Sequence, residues 1–332
     1  MSIRREIILN TFQELIFKET GKNLESIVNL KADASDRKIY RLYYDGNSVI
    51  GVFNENKKEN LAFINFTGTF TELGLNVPKI FSVSDDGLFY IEEDLGDMTL
   101  YNYTSAYLNK DHIDLYKKSL SDLIKFQIIA KDKVDYGFCY QTMEFDPVVI
   151  ESDLNKFDEY SNSLHLKTDF DQVVRESIID HSVNVLEKAN NDFFLYRDFQ
   201  PRNIMVKNNT LYYIDYQSGR KGPLQYDVAS FLYSGSIDLS NEEKHELLDH
   251  YLSELGKQIS INREEFLNDF YFFAFIRLLQ MLGSYSYISV KKNDGNILKK
   301  IPKALLNIKS LSGKIDNNEI NSYINKLTSS LN

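Results

Sequence analysis

The sequence predicts an α+β fold in two lobes, a small antiparallel β-sheet followed by a mostly helical region. Three observations predict it. Short β-rich runs separated by glycine-bearing turns are confined to the first ninety or so residues. Beyond Gly96, apolar residues recur at helical spacing over long stretches, and one isolated hairpin signal around Asn208-Asn209 interrupts them.

In chain order, residues 26–30 and 38–44 read as strands. Asp45-Gly46-Asn47 then turns the chain into a run at 48–53, because Asp-Gly tolerates the left-handed dihedrals of a tight hairpin turn. Residues 60–73 have helical spacing and stop at Gly74, the residue expected just past a helix C-terminus. Residues 79–83 and 88–91, joined through Asp85-Asp86-Gly87, make a second hairpin. Asp111 can cap a helix whose apolar positions Ile113, Tyr116, Leu120, Leu123, Ile124 and Ile128 share one face. Ser240 with Glu243, and Asn262 with Glu265, have capping-box spacing. Met205-Val206 returns as Tyr212-Tyr213-Ile214. No repeat and no long Ser, Gly or Pro linker is present.

Composition bounds the function. With 43% hydrophobic residues, the 332-residue chain can bury a sizeable core. Its 38 basic and 48 acidic side chains give a net charge of −10, which argues against a broad grip on nucleic acid but not against a small basic site. Cys139 is the only cysteine, so there is no internal disulfide and no CxxC motif, and a reducing cytoplasm is the expected compartment. The opening segment carries Glu6 and a three-residue apolar run, too short for a signal peptide. The most apolar stretch, 270–276, is bounded by Asp269 and Arg277 and falls far short of the ~20 residues that span a bilayer. A cytoplasmic protein without nucleic-acid or membrane partners, monomeric or weakly dimeric, is expected.

One constellation carries chemistry. Residues 193–216 place Asp198, then Asn203 after four intervening residues, then Asp215 at a strand end twelve residues further on. Phosphoryl transfer asks for a carboxylate to receive the attacking hydroxyl's proton and for oxygen ligands that hold Mg²⁺ against the phosphates. Asp198 is the candidate base, with Asn203 and Asp215 as metal ligands. Mg²⁺ keeps several waters, so one amide and one carboxylate are enough. Taken singly, each residue reads better as a turn cap (Asp198), a loop start (Asn203) or a solvated strand end (Asp215); only together do they point to phosphoryl transfer.

The segment resembles the catalytic loop and metal-binding segment of the aminoglycoside phosphotransferase-like family, small-molecule kinases with a bilobal protein-kinase-like fold. Where that family usually has His two residues before the base, this chain has Tyr196. The resemblance continues through Asp215-Tyr216-Gln217 to Asp227, which matches an aspartate that usually supports the catalytic loop. More narrowly, Ala32-Asp33-Ala34-Ser35-Asp36-Arg37-Lys38-Ile39-Tyr40-Arg41, Glu93-Asp94-Leu95-Gly96-Asp97, and Gly219 to Asp227 resemble bacterial amino-sugar anomeric kinases of cell-wall recycling, which act on N-acetylmuramate and N-acetylglucosamine. So does Arg277-Leu278-Leu279-Gln280-Met281-Leu282-Gly283.

The resemblance implies a nucleotide-covering N-lobe over 1–95 and a C-lobe over 96–332 with the catalytic loop and acceptor site. It implies ATP and Mg²⁺ as cofactors, Asp33, Ser35, Arg37 and Arg41 as nucleotide contacts, and a hinge near Glu93 and Leu95 against adenine. The third strand lacks the usual phosphate-binding lysine and no GxGxxG precedes it. Arg37, Lys38 or Arg41 are then the candidates to neutralise the phosphates, since a guanidinium binds phosphate in a fixed fork, and strand-edge charges facing water are the alternative reading, above all for Lys38. Arg202 or Gln200, inside the loop, can reach the transferring group. Glu151, Asp153, Gln217 and Arg220 are candidate acceptor contacts; an acidic first helical turn explains Glu151 and Asp153 slightly better, and a structural ion pair explains Arg220 equally well. An aminoglycoside, choline or an amino-acid alcohol is the alternative acceptor, and a nucleotide-binding pseudokinase the alternative class.

Overall fold

A computed structural model describes residues 3–30, 37–106, 111–161, 170–189, 191–291 and 293–331. The chain opens with α1 (Ile3–Thr20), β1 (Ser26–Leu30), β2 (Lys38–Tyr44) and β3 (Asn47–Phe53), then α2 (Lys57–Glu72), β4 (Ile80–Val83) and β5 (Phe89–Glu93). The strands form one antiparallel sheet in the order β1-β2-β3-β5-β4. Asp45 and Gly46, at φ 47° and 72°, make the turn their sequence signals. β5 runs two residues beyond the sequence expectation because Glu92 and Glu93 continue to pair with Ile50 and Val49. Helix α2 starts three residues earlier than its apolar spacing suggests, since the Asn56 side chain accepts from Glu59 N–H at 3.3 Å.

Packing of α1 on the sheet depends on one small residue. Phe12 is fully buried and meets Tyr40 and Phe89 edge-on, at 5.5 and 5.4 Å. A Cβ on Gly51 would sit 2.7 Å from the Phe12 ring, so the helix rests where strand β3 has no side chain. Phe63 of α2 stacks on Tyr90 at 5.5 Å.

The remaining elements are α3 (Leu100–Ala106), α4 (Asp111–Ile129), α5 (Pro147–Ser161), α6 (Gln172–Lys188), β6 (Phe193–Leu195), β7 (Ile204–Lys207), β8 (Thr210–Tyr213), β9 (Arg220–Gly222), α7 (Leu224–Leu232), α8 (Asn241–Leu255), α9 (Arg263–Lys291), α10 (Ile301–Lys309) and α11 (Asn318–Leu327). Two compact units interleave along the chain. The first comprises Met1–Tyr107, Asp132–Met143 and Arg202–Gly219, and the second Leu108–Lys131, Glu144–Pro201 and Arg220–Asn332. The sheet-bearing unit thus draws on chain well beyond residue 95.

In the second unit α9 is the central helix, buried along most of its length. A Cβ on Gly283 would lie 2.9 Å from the backbone nitrogen of Phe157, so glycine permits the close approach of α5 and α9. Ser240 and Glu243 form the expected capping box. Asn262 accepts from the backbone N–H groups of Glu264 and Glu265, while the Asp111 side chain lies outside the described residues. Among the described residues no helix is long and apolar enough to cross a membrane.

Candidate active site

Strand register explains why Asn203 and Asp215 belong together. In the β7–β8 hairpin Ile204 faces Tyr213 and Lys207 faces Thr210, around Asn208 and Asn209 at φ 51° and 59°. The residues flanking the open end are therefore neighbours: Ile214 N–H donates to Asn203 C=O at 3.1 Å, and the Asn203 amide meets Asp215 Oδ2 at 3.1 Å. Asp215 adopts φ 70°, a left-handed conformation uncommon outside glycine. The next residue secures it. Tyr216 stacks on Phe63 at 4.8 Å and its hydroxyl pairs with Thr67 Oγ1 at 2.6 Å, both on α2.

Arg37 reaches the same carboxylate, Nη2 to Asp215 Oδ1 at 2.5 Å, and lies 3.5 Å from Glu59 Oε1 of α2. Gln217 Nε2 donates to Asp215 Oδ1 at 3.0 Å, while its own amide oxygen is buried without a hydrogen-bond partner. Burial opposes ionisation of Asp215, but Arg37, the Gln217 bond and Arg202 outweigh it and hold the carboxyl below its ordinary range. One carboxylate, one amide and an orphaned amide oxygen make a hard oxygen donor set that fits Mg²⁺. Asp33 and Ser35 lie outside the described residues.

Asp198 belongs to the second unit. Strand β6 is wholly buried, and beyond it Asp227 of α7 takes two backbone N–H bonds, from Tyr196 at 2.7 Å and from Arg197 at 2.8 Å. Burial pushes the Asp227 carboxyl up to about 7, against those two bonds, which favour the ion. Arg197 adopts φ 80°, and its guanidinium lies 5.3 and 5.4 Å from the Phe145 and Tyr226 rings while bonding Asp153 Oδ2 at 2.9 Å. Asp198 follows, with Gln200 Nε2 at 3.4 Å and Arg277 Nη2 at 3.0 Å from its Oδ1.

Of the other predicted residues, Arg202 lies close enough to Asp215 to act on its charge. Arg41 is forked on two carboxylates, Asp94 at 2.7 and 3.1 Å and Asp97 at 2.9 and 3.2 Å. Lys207 bonds Glu93 Oε1 at 2.7 Å and the Asp94 carbonyl at 3.0 Å, and Leu95 is buried. Arg202 and Glu151 are exposed. Asp153 is the partner of Arg197, and Arg220 is only 2% exposed, enclosed in β9. Glu59 escaped sequence reasoning, and Arg277 entered it only inside a segment that resembles the amino-sugar kinases, without a role. Arg277 left one signal, a charge closing the chain's most apolar run, which burial would oblige to find a counter-charge.

Beside this group, burial pushes Glu92 up to about 8, with Arg37 opposing and Glu93 assisting. The native state therefore keeps a proton that the unfolded chain releases between pH about 4.5 and about 8. Stability should fall as pH rises through that window, and Glu92→Gln should flatten the fall in urea midpoints measured across it. Parallel curves for the two proteins would refute this.

A phosphotransferase enzyme family model matches residues 26–259. The chain belongs to that family. Two relatives of this phosphotransferase are both named N-acetylmuramate/N-acetylglucosamine kinase. The protein from Pseudomonas aeruginosa is 24% identical over 83% of this chain and 81% of its own, and that from Neisseria meningitidis serogroup B 22% identical over 93% and 92%. Among solved structures, choline kinase LicA from Streptococcus pneumoniae matches with TM-score 0.62 and 15% identity, covering 93% of this chain and 99% of that one. Spectinomycin phosphotransferase, solved with ADP and spectinomycin, matches with TM-score 0.58 and 11% identity, covering 96% and 98%. These likenesses establish the protein-kinase-like fold expected from the sequence. This phosphotransferase is a small-molecule kinase.

Proposed function

We propose that this kinase transfers the γ-phosphoryl group of ATP to the anomeric hydroxyl of an N-acetylated amino sugar, N-acetylmuramate or N-acetylglucosamine, in cytoplasmic cell-wall recycling. The contact of Asn203 with Asp215 beside Arg37 carries the phosphoryl-transfer reading. The relatives matched over most of the chain support the acceptor.

Asp198 acts as the base. As the acceptor oxygen bonds to the γ-phosphorus and the bond to ADP breaks, the hydroxyl proton passes to the Asp198 carboxylate. A hemiacetal hydroxyl is more acidic than a simple alcohol, so this transfer can come late. Asn203 and Asp215, with Gln217, hold Mg²⁺, which when bound neutralises charge on the phosphates. Arg37 stands in for the missing strand lysine as the phosphate-binding cation, oriented by Glu59, and Arg202 steadies the transferring group. Arg37 and Arg41 each meet two carboxylates, and Arg37 is favoured as the phosphate cation because its partner Asp215 is the residue that meets Asn203, whereas Arg41 is held on Asp94 and Asp97.

A panel of N-acetylated sugars, choline and aminoglycosides with Mg-ATP tests the reading. An acid-labile 1-phosphate from the sugars is the expected product. Turnover of a cationic acceptor alone would overturn the acceptor, and nucleotide binding without any turnover would favour a pseudokinase.

A further inference from the structure

The second unit contains a charged side chain that the reaction scheme above does not use. Arg277 lies in the middle of α9, only 4% exposed, 79 residues downstream of Asp198. A buried guanidinium needs counter-charge and satisfied donors, and an apolar residue of similar volume would stabilise such a helix as well or better. Its presence calls for a reason other than packing.

The donors of Arg277 supply one. Nη1 bonds Gln280 Oε1 at 2.6 Å, and Gln280 Nε2 in turn meets Ser284 Oγ at 3.2 Å, so residues one helical turn apart on α9 set the guanidinium plane. The Tyr226 ring lies 5.9 Å from its centre. Held this way, Arg277 presents Nη2 to Asp198 Oδ1 at 3.0 Å. The backbone before Asp198 is already pinned by Asp227 at residues 196 and 197. What that pinning leaves to side-chain contacts is the rotation of Asp198, which is 32% exposed and whose Oδ1 takes a longer bond, 3.4 Å, from Gln200 Nε2 besides that from Arg277.

We propose that Arg277 is a positioning residue for the base: its guanidinium, braced by Gln280, holds one carboxylate oxygen of Asp198 and so fixes the orientation in which that carboxylate meets the acceptor hydroxyl. The assignment rests on the reading of Asp198 as the base. Arg277 stays protonated throughout and takes no proton from the acceptor. Its role differs from that of Arg197, whose bond goes to Asp153.

The test compares Arg277→Met and Arg277→Lys in the wild-type and Asp198→Asn backgrounds, using the full chain, Mg-ATP and whichever panel acceptor turns over. Misplacement of a reacting group by an ångström costs about 10²-fold, so Arg277→Met should lower kcat by about that factor. Mg-ATP affinity and acceptor KM should stay unchanged. Arg277→Lys keeps the charge without the fork and should lose less. In the Asp198→Asn background neither substitution should lower kcat further, because a residue that acts through the carboxylate has nothing left to orient. A multiplicative loss in that background, a change confined to KM, or an unchanged kcat would overturn the assignment. Should the methionine variant fail to fold, which thermal unfolding reports, the lysine variant carries the same comparison. If the wild-type protein phosphorylates no acceptor, the kinase reading itself fails and takes this assignment with it; if wild type and both variants turn over alike, only the assignment fails.

Discussion

Asp198→Asn should lower kcat by about 10³-fold while leaving Mg-ATP binding intact, within the range that loss of a general base produces. Asparagine is the informative substitution. Its carbonyl oxygen can still accept from Arg277 Nη2, now 3.0 Å from Oδ1, so the buried guanidinium keeps a partner and the second unit keeps its fold. Alanine would strand that guanidinium, and breaking a buried charge pair from one side costs roughly 3–5 kcal/mol, which would confound a kinetic loss with unfolding. Asn203 and Asp215, the pair proposed to hold Mg²⁺, belong to the other unit and keep their contact after the change. Nucleotide affinity measured calorimetrically should therefore match wild type. A variant with wild-type kcat would remove Asp198 as the base; one that loses Mg-ATP binding would place Asp198 in the nucleotide site.

What the sequence made legible follows from contact range. The pairing of Asn203 with Asp215 is local: two four-residue strands, a two-residue turn and Ile214 separate them, so hairpin register alone brings them together. Asp45-Gly46 and Asn208-Asn209 were readable for the same reason, since left-handed turn residues announce themselves within four positions. The support of the loop by Asp227 was legible only through resemblance, being an interaction across 30 residues with no periodic signature.

Side-chain partners from distant segments were not legible. Arg37 could be named as a phosphate-binding candidate, yet nothing in the sequence tied it to Asp215, 178 residues away, or to Glu59 on α2. Arg41 looked equivalent to Arg37 because residue type and neighbourhood are alike. Strand pairing separates them: Arg41 sits opposite Ile50 on β2, within reach of Asp94 and Asp97 beyond the end of β5, whereas Arg37 precedes the strand. The two units are likewise illegible as a single boundary, because Asp132–Met143 joins the first unit through contacts such as Cys139 Sγ with Gly219 C=O at 3.2 Å and Tyr140 with Ser218 at 3.2 Å.

Asp227→Ala should damage both stability and turnover. The Asp227 side chain is fully buried and its two oxygens each accept one backbone N–H, so alanine leaves two buried donors without partners. Each stranded donor costs about 1–3 kcal/mol, which puts the destabilisation on the order of 2–6 kcal/mol. Asparagine offers one acceptor oxygen where two are needed and turns an N–H toward the other donor, so it should be little better. The kinetic effect follows from backbone strain. Arg197 at φ 80° occupies a region that costs a non-glycine residue about 1–3 kcal/mol, and the bond from its N–H to Asp227 is part of what holds it there. Released, residues 196 and 197 relax and carry Asp198 with them, and turnover should fall about 10²-fold even in molecules that remain folded. Hydrogen exchange separates this local effect from global destabilisation: the amides of Tyr196 and Arg197 should lose protection to a greater degree than those of α9. Uniform loss of protection across the second unit, with kcat per folded molecule unchanged, would reduce Asp227 to a stability residue with no bearing on the base.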